Sequence, residues 1–446
     1  MRDLTSRLRA IVKDAAGRFS ADPHAERRPP ASYTYVPDIG AEGLDLDGTA
    51  TALGGSRYGT NASACVVVDR VWDANQWHGR RRVESYAIDA EAPIGLFDPR
   101  VPIECDWASR VVFFDIETTG LSGGAGTLAF LAGCGWFESG GFKVRQFLLN
   151  GPGGEHAMLD GLAGIFDRAS LLVTFNGRSF DVPVMETRWA YHRRDTPTTD
   201  LPHFDMLPAA RRLWSSRDAS AARDDPTTLA GCTLVALERS ILHFYRRADV
   251  PGFEIPSRYF HFLRSGNASA IEGVLEHNRH DVISLAAVMS RALSLAAEGP
   301  EACETATEQI GLGRLYERAG DRARAMQAFT LAAASGLPAV AAHALARLAV
   351  LLRREQRHDE SAAAWQAVLA HSSQVPLPLN ALERRAAEAL AIHHEHRARD
   401  LAAAKRYAET LRAHARGQFV AAVDHRLGRL DRKMKARTPA VRELLD

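Results

Sequence analysis

The chain has 446 residues, with 55 Lys and Arg against 54 Asp and Glu and a formal net charge of +1. That length predicts two or three domains. The charge balance excludes a histone-like or tail-driven nucleic-acid binder but leaves room for a local basic groove. Lysine occurs only at Lys13, Lys143, Lys405, Lys433 and Lys435, so nearly all the cations are arginine, the better bidentate ligand for phosphate. The cysteines Cys65, Cys105, Cys134, Cys232 and Cys303 stand singly, with no CxxC pair. They predict no thiolate zinc site and a reducing, cytoplasmic setting. No stretch reaches 18 apolar residues, so no membrane span or membrane partner is expected.

Residues 1–60 read as an N-terminal helix and a loosely ordered arm. Leu4, Leu8, Ile11 and Val12 have the spacing of a short amphipathic helix, without the apolar core of a signal peptide. A stretch rich in Pro, Gly, Ala, Asp and Ser follows from about residue 20. Within 61–108, the apolar runs 65–72 and 83–88 flank a turn-like segment at Asn75–Gly79. They predict a small β-hairpin extension before the main domain.

The segment 109–298 alternates strand and helix signals. Strands are expected at 110–117, 127–137 and 142–150, the last two joined into a hairpin by Glu138-Ser139-Gly140-Gly141. A helix at 155–168, a strand at 171–176 and a helix at 180–191 follow, then mainly helix from 208 to 296. This order describes an α/β or α+β sandwich with a mixed sheet.

After about Glu301 the composition turns to Ala-rich helix. Leu312, Gly313, Tyr316, Gly320, Ala325, Phe329 and Ala332 fall at tetratricopeptide-repeat spacing. Degenerate second and third copies run through Leu348, Leu352, Ser361, Trp365 and Val368, and through Leu390, His394, Ala403, Tyr407 and Thr410. Residues 301–446 therefore read as an all-α, tetratricopeptide-like repeat domain, whose helix pairs must stack to bury their apolar faces.

The chemistry is concentrated in the middle third. An apolar run, Val111–Phe114, leads into Asp115-Ile116-Glu117. Alternation along a strand puts both carboxylates on one face, spaced to hold a hard divalent cation. Further on, a short apolar strand reaches the turn pair Asn176-Gly177, and Phe180-Asp181 opens a helix with Pro183 in its first turn. A third element, EHNRHDVISL from Glu276, sets His277 and Asp281 four residues apart on one helix face. Each feature alone has a plain structural explanation: a surface pair, an N-cap, a helix-surface ion pair.

In this order the set resembles the DEDD exonuclease superfamily on the ribonuclease H-like fold, over about residues 110–291. The stretches His203–Trp214, Cys232–Leu242, Asp249–Leu263 and Glu276–Leu285 look like its YprB-type branch, which often carries tetratricopeptide-like helices after the nuclease-like domain. The resemblance implies a 3′–5′ exonuclease acting on DNA or RNA ends with two Mg²⁺ or Mn²⁺ ions. By analogy Asp115 bridges both ions, Glu117 and Asp281 hold the first, and Asp181 supports the second. His277 would orient or deprotonate the attacking water. It stands four residues before the last aspartate, the register another branch fills with tyrosine, whereas the usual histidine position here is Glu276. Thr118, Asn176 and Phe180 fall where the family meets nucleic acid.

Lesser features remain. Asp205 is a fifth carboxylate near the site or an ordinary cap. Arg211, Arg212, Arg246 and Arg247 either meet phosphates or form solvated faces. His393, His394 and His396 lie on a repeat helix without ligand spacing. The other function class is a non-catalytic scaffold, in which the helical repeats recruit a protein partner. The four intact carboxylates favour the enzyme.

Overall fold

The computed structural model describes residues 44–101, 106–120, 126–215, 232–372 and 379–437. The expected helix through Leu4–Val12 lies outside them. Helix α1 (Leu46–Ala52) opens the described chain, capped by the Asp45 side chain on Gly48 N. The central domain is then built on a seven-stranded sheet. Its strands are β1 (Ser56–Gly59), β2 (Ala64–Asp73), β5 (Val111–Thr118), β6 (Ala129–Glu138), β7 (Gly141–Leu148), β8 (Leu171–Thr174) and β9 (His203–Asp205). Their spatial order is β1-β2-β7-β6-β5-β8-β9. Pairings are antiparallel from β1 to β5 and parallel from β5 through β8 to β9. The expected mixed sheet is thus present, with three successive antiparallel strands and two parallel ones added beside β5.

The expected hairpin extension at 61–108 is corrected. The run at 65–72 pairs with β1 and β7 as a full member of the sheet. Its own continuation makes only the two-residue strands β3 (Trp77–His78) and β4 (Arg81–Arg82), and Val83–Tyr86 is a 3₁₀ turn. The physical reason is burial. Cys65–Val68 are an unbroken buried run, which needs cover on both faces and a neighbour on each edge; a lone two-stranded ribbon offers neither.

Helices cover both faces of the sheet. On one, Val112, Phe114 and Ile116 of β5 pack with α2 (Glu155–Phe166), α3 (Asp181–Tyr191) and α6 (Ile255–Ser265). On the other, Val111 and Phe113 pack with α4 (Met206–Trp214), the short α5 (Leu234–Leu237) and the second half of α7 (Ser269–Glu298). Buried Glu155 ties α2 to α3 by accepting Arg188 Nη2 at 2.6 Å and meeting His192 Nε2 at 2.6 Å.

Helix α7 decides where the site lies. Its 30 residues cross the sheet over β6, where Gly133 and Gly135 present no side chains: a Cβ on either would meet Asn278 Oδ1 at 2.2 Å or Val282 Cγ1 at 2.4 Å. By length and composition α7 could span a membrane, but in this fold most of it is buried inside the protein.

Among the described residues the chain continues as helices alone. They fall in pairs: α8 (Ala306–Ala319) with α9 (Arg322–Ala333), α10 (Pro338–Arg354) with α11 (His358–Ser372), and α12 (Ala381–His396) with α13 (Leu401–His414), followed by α14 (Gln418–Arg437). Capping boxes open α8 at Thr305/Glu308 and α12 at Asn380/Glu383, satisfying backbone donors at the helix starts. The helical region is fused to the sheet domain. Ile310, Leu312, Leu315, Tyr316 and Phe329 share one core with Ala210, Leu213 and Trp214. Trp214 Nε1 donates to Glu308 Oε1 at 2.9 Å. Gly311 lets α8 cross α4, since a Cβ there would stand 2.4 Å from Leu213 O.

Candidate active site

Strand β5 delivers Asp115 and Glu117 to the face that α7 crosses, because the intervening Ile116 points into the opposite core. Past Glu117 the register with β6 shifts, and Thr118 turns inward to donate from Oγ1 to Gly120 O at 2.9 Å. Asp181 arrives from the first turn of α3. Its Oδ1 accepts the Ile116 backbone N–H at 3.2 Å, which pins the third carboxylate to the strand between the first two. His277 and Asp281 arrive one above the other on α7, with His277 Nε2 3.3 Å from Asp281 Oδ2 and 3.9 Å from Glu117 Oε1. The five residues expected from the sequence therefore meet, although they span the chain from 115 to 281.

The electrostatics are those of like charges held together out of water. Burial pushes the Asp115 carboxyl well above its ordinary value, and the charges of Asp281, Glu117 and Asp181 push it further, against the Asn278 amide. Glu117 is likewise raised well above the usual range by burial, then by Asp281 and Asp181. Asp181 is pushed up to about 7, again chiefly by burial. Such a cluster has a protonated route to relief and a cationic one. Glu117, His277 and Asp281 each offer one ligand atom, all within 4.8 Å of one another. The carboxylate oxygens among them fit a hard divalent cation, with water completing its shell.

Several residues that shape the site escaped the sequence reading. Asn278 is fully buried and donates from Nδ2 to Asp115 Oδ2 at 2.9 Å and Asp115 O at 3.2 Å, while its Oδ1 accepts from Gln146 Nε2 at 2.8 Å. One signal pointed to it. Asn278 lies four residues after Val274 and four before Val282, on the apolar stripe of α7, where an amide without a polar task is costly. Asp249 had no such signal. Its Oδ1 lies 2.7 Å from His277 Nδ1 and holds the ring so that Nε2 faces Asp281 and Glu117.

Arg246, read as a phosphate contact or a solvated charge, is neither. Its side chain is 3% exposed. The guanidinium makes a bidentate pair with buried Glu238, at 2.8 and 2.6 Å, and also bonds Asp281. Burial opposes its charge, but these carboxylates hold it firmly protonated. The loop that inserts it is bounded by His243 and Ala248, both left-handed at φ 51° and 52°. Arg247 is exposed.

The remaining candidates separate. Asp205 is both a cap and a clamp: Oδ1 accepts from Leu207 N and Asn176 N, and Oδ2 from Arg178 N. Its charge also reaches Asp181. Asn176, exposed and left-handed at φ 69°, sits on the loop so clamped. Phe180 is half-buried and packs against the α3-side core. His280 points away, edge-on to Phe244 at 5.2 Å, and burial pushes its imidazole down to about 4. Of the histidines on α12, His394 stacks on Tyr407 and His393 pairs with Asp359. Among the described residues no ligand group forms there.

Comparison with known proteins agrees with the fold of this domain. Residues 112–293 match the RNase_H superfamily. The chain is also 38% identical over 178 residues to the uncharacterized protein YprB of Bacillus subtilis (strain 168). That match covers 40% of this chain and 40% of YprB, so it speaks for the shared domain, which is ribonuclease H-like and of the YprB type. The superfamily supports a nuclease-type function.

Proposed function

With a central domain of the ribonuclease H superfamily as the premise, we propose that the protein is a metal-dependent nuclease that removes nucleotides from the 3′ end of DNA or RNA. The observation that carries this reading is the convergence of Asp115, Glu117, Asp181 and Asp281 with His277 on one face of the sheet. Asp115, Glu117, Asp181 and Asp281 would hold two divalent ions, Mg²⁺ or Mn²⁺. When bound, such ions polarise the phosphodiester and stabilise the charge of the leaving oxygen.

The chain's own residues prepare the rest. Asn278 and the Ile116 N–H fix the Asp115 and Asp181 carboxylates in place, so little reorganisation remains to be made during reaction. Asp249 orients His277 so that Nε2 can accept a proton from an attacking water. Asp205 clamps the loop carrying Asn176, and Thr118, Asn176 and Phe180 would border the terminal nucleotide. The three helix pairs, read as tetratricopeptide-like repeats, would serve a protein partner or the substrate.

The test is hydrolysis of end-labelled single- and double-stranded DNA and RNA with Mn²⁺ or Mg²⁺, beside Asp115→Ala. Metal-dependent loss of 3′ nucleotides, abolished by the substitution, is expected. Wild type and variant equally inert on all four substrates would sink the enzyme reading in favour of a scaffold.

A further inference from the structure

Helix α4 links the carboxylate site to the helical region. It begins at Asp205, beside the site, and ends with Trp214 bonded to Glu308 of α8. Along it a cavity of about 720 Å³ opens between the two regions. Arg211 and Arg212 of α4, Arg314 of α8, His343 and Arg347 of α10 and Arg385 of α12 line it, and among the described residues no Asp or Glu does. Five arginines gathered from four helices give the cavity a cationic lining, to which a polyanion is suited.

Their geometry is held in advance. Glu317 anchors Arg347 at 3.3 Å and Arg354 at 3.0 Å. The Arg385 guanidinium lies 5.6 Å from the Trp365 ring, and Arg212 donates to Phe97 O at 2.9 Å. The core shared by α4 and α8 fixes the two walls relative to each other.

The basic surface continues in both directions. Towards the site, Arg211 lies six residues from Asp205, about 9 Å along the helix axis, close enough to act on its charge. Away from the site, Arg385 also lines a second concavity of about 640 Å³ with Arg384, Arg416, Phe419 and the ion pair Arg426–Glu388, so cations outnumber the one acid. The Phe419 ring is 68% exposed. Arginines along a groove with an exposed aromatic ring match what an unpaired strand requires: cations for its phosphates and a face on which a base can stack. A duplex would hide the base faces that Phe419 could meet.

We propose that this arginine-lined groove binds single-stranded nucleic acid, carrying the strand across the helical region while its end lies at the carboxylates. The inference rests on the nuclease reading for the position of the end, and the groove itself can be tested without hydrolysis. Binding of the full-length chain to oligothymidylate and oligouridylate of about 20 nucleotides, longer than one single-strand site, is measured by fluorescence anisotropy in EDTA over a range of salt. The variant is Arg347→Glu/Arg385→Glu, two exposed positions outside the catalytic cluster. Affinity is expected to fall roughly tenfold or more, and the slope of log K against log salt to flatten by about 1.4, at about 0.7 per phosphate contact. Arg347→Lys/Arg385→Lys should keep the slope, and hydrolysis of trinucleotides should match wild type. Unchanged affinity and slope in the glutamate variant would overturn the groove. So would oligoglutamate binding more tightly than either oligonucleotide and losing that affinity in the variant, which would assign the surface to an acidic protein. Normal groove binding by a wild type that hydrolyses nothing would refute the nuclease reading and leave the groove standing.

Discussion

Replacing Arg246 by methionine tests the electrostatic account of the site most directly. The substitution keeps most of the aliphatic volume and removes a guanidinium that is 3% exposed from a Glu238 side chain that is 1% exposed. Glu238 would lose both bonds of its bidentate partner, and Asp281 would lose its cation. Stranding one member of a buried pair costs about 3–5 kcal/mol, a large share of the roughly 5–15 kcal/mol that stabilises a domain. Changing Glu238 to leucine in the same chain removes the stranded charge, so Arg246→Met/Glu238→Leu should recover most of the loss.

The pH dependence has a definite sign. Burial raises the Glu238 carboxyl above its ordinary value of 4.5 and Arg246 pulls it back down. Without Arg246 it rises further. A group whose folded-state pKa is raised contributes fully below its unfolded value and loses that contribution as pH rises through the folded value. The single variant's deficit is therefore smallest near pH 4.5 and grows towards neutrality. Urea unfolding followed by circular dichroism in EDTA, at pH 5 and pH 8, measures both effects. A double variant as unstable as the single one, or a deficit independent of pH, would refute the reasoning.

Other substitutions address the neighbouring contacts. In Gly133→Ala the new Cβ would meet Asn278 Oδ1 at 2.2 Å and push the amide off Asp115. Mn²⁺ affinity should fall about 10–100-fold by isothermal titration calorimetry, and an unchanged affinity would contradict the role given to Asn278. His277→Gln should lower the hydrolysis rate about 10²–10⁴-fold while Mn²⁺ affinity holds; a parallel loss of affinity would make His277 a ligand instead of a base. With Asp181 raised to about 7, the metal-free cluster favours the folded state at low pH and loses that contribution as pH rises through 7. Mn²⁺ at a hundredfold excess over its Kd should then restore about 2.7 kcal/mol at pH 8 and much less at pH 5. Equal shifts in Tm by calorimetry at the two pH values would argue against the carboxylates as ligands. Gly311→Ala, whose Cβ would crowd Leu213 O at 2.4 Å, should cost about 1–3 kcal/mol and flatten the salt dependence of oligonucleotide binding by misaligning the groove walls.

The positions of the five site residues were legible because each sits on a strong local pattern. Asp115 and Glu117 end an apolar strand, Asp181 opens a helix after a turn pair, and His277 and Asp281 share a helix face. Local periodicity fixes which way such side chains point, and the mixed sheet with its all-helical continuation followed from the same signals. What periodicity could not supply was partnership across distance. The run at 65–72 was legible as a strand, but nothing local to it identifies β7 as its neighbour, since pairing is settled by long-range burial. Arg246 and Arg211 carry the same charge in similar basic dipeptides, RR at 246–247 and at 211–212. One lies buried among carboxylates and the other faces an open groove.

By itself, then, the sequence determined the kinds of chemistry present: converging carboxylates, a histidine in their midst and a surplus of arginine over lysine. Only the tertiary structure decided which arginines neutralise the protein's own acids and which line an open groove. The physical reason is that a charge's role depends on what surrounds it in space. Desolvation and the nearest opposite charge come from elements far apart along the chain, as Arg246 and Asp281 do.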